Sequence, residues 1–300
     1  MKHSVLCFRR VDMIKNMRKL TAIILTVISL GLLSACADGG GAETTRAVVA
    51  GSTSVLPYVE ILVEEYRFLY PDNLVGVQGG GSSAGIRAVR NGIADIGMSS
   101  RSLTEDEQDL WSVEIALDGL AIIIHPDNPV DNLSIQQVRD IYTRRITNWN
   151  EVGGNDAKIH IISREEGSGT RGAFQELVMA DEFISQKAVV QNSNGAIRQL
   201  VSGNRDTIGF ISLGLAEPQP GMTDVKPLML NGIKPTRENV RSGDYGLYRA
   251  FLFVCAQEPE AGSPAWHFID FVLSGKGQDI LMTEGLISAQ REDEGKFENN

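Results

Sequence analysis

From residue 46 onward, short apolar runs alternate with stretches whose apolar positions recur every three or four residues. The runs 47–50, 74–77, 94–98, 120–124, 158–162, 207–211 and 250–256 predict strands. Between them, 56–69 predicts a helix with Ile61, Leu62, Tyr66 and Leu69 on one face and Pro71 as its stop. Further helices are predicted over 84–89 (closed by Asn91-Gly92), 135–142, 171–179, 196–201, 264–273 and 277–284, while 221–244 reads as loop-rich. Strands that alternate with helices predict an α/β fold with largely parallel sheets, because a parallel pair needs a crossover that a helix supplies. Boundaries fall near 125 and 212, each just after an apolar strand.

The start of the chain follows a different rule. Residues 20–35 are uncharged and mostly apolar, and the stretch before them carries Lys2, Arg9, Arg10, Lys15, Arg18 and Lys19 against Asp12. The run is shorter than the roughly 20 residues that span a bilayer. It ends in Leu33-Ser34-Ala35-Cys36, similar to a bacterial lipobox, where the cysteine becomes the lipid-bearing first residue after cleavage. Residues 1–35 therefore read as a lipoprotein signal and Cys36 as the lipidation site; an uncleaved anchor helix is the alternative. Met13 and Met17 are alternative starts, since the stretch before the apolar run is long for such a signal. Both readings place the rest outside the cytoplasm, on a cell membrane. Residues 36–45 are Gly-rich and read as a flexible tether, and 291–300 as a polar tail. With Cys7 in the removed segment and Cys36 lipidated, Cys255 has no partner for a disulfide; it sits in an apolar run and reads as a core thiol.

Composition narrows the function. The 300 residues are 42% hydrophobic and 22% charged, enough apolar material for a core, and the net charge of −10 argues against a nucleic-acid partner. With the basic leader set aside, the remainder is more acidic still. Three segments nevertheless share an anion-binding design of strand, Gly/Ser/Thr turn and helix: Gly51-Ser52-Thr53-Ser54, Gly79 to Gly85 with Ser82 and Ser83, and Gly167-Ser168-Gly169-Thr170-Arg171. Free N–H groups and hydroxyls at such turns suit a small tetrahedral oxyanion. Ser99-Ser100-Arg101 follows another strand, and Arg164 and Arg101 carry the planar fork that matches such an ion, a solvated surface charge being the other reading of each. Enzyme signatures are weak. Gly79-x-Gly81-x-x-Ala84 lacks the acidic residue of a dinucleotide site, Ser168 lacks the flanking glycines of a nucleophile elbow, and no Lys-bearing phosphate loop occurs. His125, His160 and His267 are isolated, so neither metal nor cofactor is expected.

Taken together and in order, Ala50-Gly-Ser-Thr-Ser54, Gly80-Gly-Ser-Ser-Ala-Gly85, Ala94-Asp-Ile-Gly-Met-Ser-Ser-Arg101, Ile146-Thr-Asn-Trp-Asn-Glu-Val-Gly-Gly154, Ser163-Arg-Glu-Glu-Gly-Ser-Gly-Thr170 and Ser193-Asn-Gly195 before Ile208-Gly-Phe-Ile-Ser212 resemble the phosphate-binding proteins of bacterial phosphate ABC transporters. The resemblance spans about residues 46–290. It implies a two-lobed periplasmic-binding-protein fold with two hinge crossings, one lobe from 46–125 plus 213–290 and the other from 126–212. It also implies a monomer that binds inorganic phosphate in the cleft, makes or breaks no bond, and delivers the ion to permease subunits. Thr53, Ser54 and Ser82 would bind from one lobe and Arg164, Ser168, Gly169 and Thr170 from the other, with Ser52, Ser83, Ser100, Arg101, Glu166, Gly167 and Ser193 in the same segments. One departure matters. A branch of the family has an aspartate where Ser100 stands, a carboxylate that can accept phosphate's proton and repel sulfate. Glu166, or alternatively Glu165, is the candidate replacement; the other reading is that both merely pair with Arg164. Another oxyanion (sulfate, molybdate, tungstate) and a cell-surface phosphate sensor remain alternative readings, and an enzyme such as a phosphatase is the least supported.

Overall fold

The computed structural model describes residues 45–216 and 224–289, so the signal, Cys36, the tether and the tail lie outside the described residues. Chain order begins β1 (Thr45–Gly51), α1 (Leu56–Leu69), β2 (Asn73–Gly79), α2 (Ser82–Arg90), β3 (Ile96–Ser99) and β4 (Trp111–Ile124). Next come β5 (Asn132–Leu133), α3 (Ile135–Tyr142), β6 (His160–Arg164), α4 (Gly169–Phe174), β7 (Val189–Gln191), α5 (Asn194–Ser202) and β8 (Thr207–Ser212). The chain closes with β9 (Lys226–Pro227), β10 (Met229–Leu230), α6 (Arg237–Ser242), β11 (Tyr248–Cys255), α7 (Pro264–Leu273), α8 (Gly275–Thr283) and β12 (Ile287–Ser288).

One sheet runs in the order β2-β1-β3-β11-β4-β8-β6-β7. Its outer strands are parallel, β2-β1-β3 at one end and β8-β6-β7 at the other. The centre is antiparallel: β11 pairs with β3 and β4, and β4 pairs with β8. The sheet is thus mixed rather than largely parallel. The reason is that β4 carries the chain from one lobe to the other and β11 brings it back alongside, which forces opposite directions.

The cores show where the lobes divide. Val49, Ile96, Met98, Ile115, Ala116, Phe251, Phe253 and Phe268 share one core, around a cluster of Tyr66 with Phe268 and Phe271. Leu120 to Ile124, Tyr142, Trp149, Phe174, Phe210 and Leu247 share the second, where the Phe174 and Phe210 rings stack at 4.0 Å. The chain passes between them within β4, from Ala116 to Leu120, and again from Leu247 to Phe251. Leu213, Leu228, Leu230, Val240 and Tyr245 therefore pack in the second core, not with the first-lobe residues among which 213–290 was placed. The sequence boundary at 125 took 120–124 for a whole strand, whereas it is the second half of a 14-residue strand. The predicted 171–179 helix is α only to Phe174 and continues as one π turn to Met179 before the positive φ of Ala180. Cys255 is buried in the first core, and burial pushes its thiol up to about 12, as a packed, unreactive group requires.

Candidate functional site

Three of the predicted turns come together at the ends of β1, β2 and β6, with Ser100 beside them after β3. The contacts cross between lobes. Ser83 N–H donates to Gly167 O (3.1 Å), Ser54 Oγ and Thr170 Oγ1 share a hydrogen bond of 2.7 Å, and Asn194 Nδ2 donates to Ser54 Oγ (2.9 Å). Ser52, Ser54, Ser82, Ser100, Ser168 and Thr170 are each no more than 2% exposed. Within the first lobe, Ser52 Oγ donates to Ser100 Oγ (2.8 Å), and Ser100 N–H donates to Ser82 Oγ (3.1 Å). So many buried hydroxyls at strand ends would be costly unless bonded, and they are bonded to each other across a closed cleft.

Arg164, the last residue of β6, is the charge at the centre. It is 1% exposed; its Nε and Nη2 donate to the two carboxylate oxygens of Glu165 (both 3.0 Å), and Nη2 also donates to Thr53 Oγ1 (3.1 Å) and Asn192 O (3.3 Å). Its Nη1 is buried with no partner among the described residues. A buried guanidinium N–H left unpaired is costly, and an anion in the cleft would satisfy it.

Two close approaches fix the backbone. Gly85 lets α2 pack on β1, since a Cβ there would lie 2.6 Å from Gly51 Cα. Gly169 lets α4 enter the cleft, since a Cβ there would meet Ser82 Oγ and lie 2.5 Å from Ser100 Oγ.

The other predicted residues take supporting places. Arg101 donates to both oxygens of Glu107 (2.6 and 2.9 Å) and to Ser83 Oγ (3.2 Å), so its fork is engaged within its own lobe. Arg101's hydrogen bond holds the Glu107 carboxyl down at about 2. Ser193 caps α5, accepting from Ala196 N–H (3.1 Å), and Ser168 caps α4, accepting from Arg171 N–H (3.2 Å). Glu166 is exposed and is not brought into the buried set; Glu165 is the glutamate that grips Arg164.

Known proteins resemble this chain in sequence and fold. A family profile described as a PBP superfamily domain matches residues 38–276. A phosphate-binding protein PstS of Borreliella burgdorferi is 30% identical over 90% of this chain and 98% of its own. The PstS of Bacillus subtilis is 26% identical over 89% and 92%. The chain belongs to the PstS phosphate-binding-protein family, within the PBP superfamily. Among solved structures, a protein described as a phosphate ABC transporter substrate-binding protein with bound phosphate, from Clostridium perfringens, is 41% identical with a TM-score of 0.77, covering 82% of this chain and all of its own. A phosphate transport receptor from Vibrio cholerae is 38% identical with a TM-score of 0.67, over 80% and 99%. These relatives are named as binding proteins, the two solved ones as parts of phosphate transport, and the chain, as a member of this family, is not an enzyme. Among the described residues no group of His, Cys, Asp and Glu could hold a metal, and no helix is long and apolar enough to cross a membrane.

Four further buried polar residues lie beside these turns: Asn194 and Ser212, which the sequence offers only as parts of longer motifs, and Asp118 and Arg249, which no motif singles out. Asp118 and Arg249 are directly opposed on the antiparallel strands β4 and β11 at the lobe crossing, with Nη2 to Oδ2 at 3.1 Å and exposures of 2% and 6%. Ser212 Oγ donates to Asp118 Oδ1 (2.9 Å), and Ser212 N–H donates to Asn194 Oδ1 (3.3 Å). Arg249 Nη2 also lies 3.5 Å from Ser54 Oγ. Burial pushes the Asp118 carboxyl up to about 6, against the pull of Arg249. The available signal was one charge inside each of two apolar runs, Asp118 in 115–124 and Arg249 before 250–256.

Proposed function

We propose that this chain is the extracytoplasmic receptor of a phosphate ABC transporter, closing on inorganic phosphate between its lobes and handing it to permease subunits. The observation that carries the reading is Arg164, buried at the meeting of Ser/Thr turns from both lobes with one guanidinium nitrogen unpartnered. Around it, backbone N–H groups and hydroxyls supply neutral donors, so a tetrahedral oxyanion can be bound by an acidic protein.

The membrane link and the oligomeric state belong to the same proposal. Cys36 carries lipid, residues 36–45 tether the monomeric receptor to the outer face of the membrane, and no nucleic acid or cofactor takes part. The test is titration calorimetry of the soluble receptor with phosphate, sulfate, molybdate and tungstate. Phosphate is expected to bind tightly and to raise the melting temperature, because ligand at 100 times Kd stabilises the folded state by about 2.7 kcal/mol. Binding of another oxyanion in preference to phosphate would replace the reading. Incorporation of a labelled fatty acid, lost in Cys36→Ala, tests the anchor.

A further inference from the structure

Arg249 stands out as the other buried guanidinium near the cleft. Its Nη2 alone is hydrogen-bonded, to Asp118 and Ser54, and the guanidinium lies over the Phe251 ring (5.6 Å to its centroid); Nε and Nη1 are both buried with no hydrogen-bond partner among the described residues. Nothing in the packing of a hinge requires this. A tie between β4 and β11 could be made by an uncharged pair or by an arginine whose whole fork is satisfied. Here the side chain is hydrogen-bonded at one corner, rests on the Phe251 ring and keeps two nitrogens to donate, where Arg164 keeps one, its Nη1.

The two arginines approach the same turn, Arg164 from the second lobe and Arg249 from the crossing between the lobes. Arg164 Nη2 donates to Thr53 Oγ1 at 3.1 Å, and Arg249 Nη2 to Ser54 Oγ at 3.5 Å, on consecutive residues of the turn after β1. Burial disfavours the charge of Arg249, Asp118 favours it, and the charge of Arg164 disfavours it further. Ser54 Oγ receives from Asn194 Nδ2 and Arg249 Nη2, which leaves its own proton for Thr170 Oγ1. Ser54 thereby connects Arg249 to the second lobe. Each guanidinium has one carboxylate, Glu165 or Asp118, and each retains unpaired N–H groups. An oxyanion between them would receive N–H groups from each side, from Nη1 of Arg164 and from Nε and Nη1 of Arg249.

We propose that Arg249 is the second charged donor of the phosphate site, contributed at the crossing between the lobes, and that Asp118 is its positioning residue. The inference rests on the phosphate reading and deepens it: the ion is gripped by Arg249 at the crossing and by Arg164 from the second lobe, so closure brings the second charge to the first.

The experiment is calorimetric phosphate titration of wild type, Arg249→Lys, Arg249→Met and the paired Asp118→Asn/Arg249→Met, with phosphate-free thermal melts of each as the measure of folding. Loss of a buried charged donor is expected to weaken phosphate binding about 100-fold or more in Arg249→Met. Arg249→Lys keeps the charge and loses the fork, and is expected to recover part of that loss, with affinity still down about tenfold. The paired variant removes the buried ion pair together, keeps the melt near wild type, and stays as weak as Arg249→Met. If that single variant fails to fold, Arg249→Lys and the paired variant decide. Wild-type affinity in any folded Arg249 variant would overturn the inference and leave the pair as a hinge tie. Absence of phosphate binding by the wild-type chain would overturn both this and the phosphate reading.

Discussion

Arg101 shows how a candidate ligand residue can be spent on architecture. Its guanidinium forks onto Glu107, whose Oε2 also accepts the Thr104 N–H (3.0 Å), so the segment after β3 is pinned behind Ser100 and Ser83. The folded-state Glu107 carboxyl lies at about 2, below its ordinary value of 4.5, so this pair contributes stability above pH 4.5 that is lost as pH falls towards 2. Glu107→Gln is expected to cost about 1–2 kcal/mol at pH 7 once solvent screening is allowed for, and nearly nothing near pH 2. Chemical unfolding of both forms across that range checks it; a difference that does not shrink on acidification would show that Glu107 acts by shape alone. At this scale the legible residues were those in Gly/Ser/Thr turns after apolar strands: Ser52, Ser54, Ser82, Ser168 and Thr170 are buried, and half-buried Thr53 accepts from Arg164. Asn194 was not legible, because Ser193 beside it carries the ordinary capping signal, and no pattern says which of two neighbours turns inward. Asp118 and Arg249 were not, because a lone charge in an apolar strand becomes meaningful only when its opposite partner is seen across the sheet.

The elements that matter most are the two helices that meet head-on across the cleft, α2 and α4. Gly169, the first residue of α4, is the point of nearest approach to Ser82 and Ser100. A methyl group there has no room when the lobes are together, yet within an isolated helix Ala is favoured over Gly by up to about 1 kcal/mol. Gly169→Ala is therefore expected to leave the phosphate-free melt unchanged or slightly raised while weakening phosphate binding at least tenfold, about 1.4 kcal/mol. Parallel melts and titrations separate the two effects, and unchanged affinity would mean that the cleft closes less far than this geometry. Helices were the more legible elements, α1, α3 and α7 lying where the 3.6-residue pattern put them. The alternation of Trp111, Val113 and Ile115 with Ser112 and Glu114 marks the first half of β4, but the fully apolar run after it drew the boundary instead. Exposed three-residue β7 and two-residue β9 and β10 are too short to impose a period at all; pairing with neighbours defines them.

For the whole molecule, the question is how a chain of net charge −10 accepts an anion. The diffuse field repels phosphate at long range, but salt screens it over a Debye length of about 10 Å at 0.1 M. The closed site is different: its hydroxyls and Arg164 are buried, with donors only a few ångströms from where the ion would sit, and interactions at that range are screened far less. Affinity and approach should therefore respond to salt in different ways. Raising sodium chloride from about 20 to 200 mM is expected to speed phosphate association, because it relaxes the repulsion, while Kd changes by less than about threefold. Stopped-flow association rates and calorimetric Kd values over that range test both halves. A site made of surface cations would behave oppositely, losing on-rate and affinity together as salt rises. That result would move the seat of binding from the buried turns to an exposed basic patch, and the arginines at the lobe junction would lose their role.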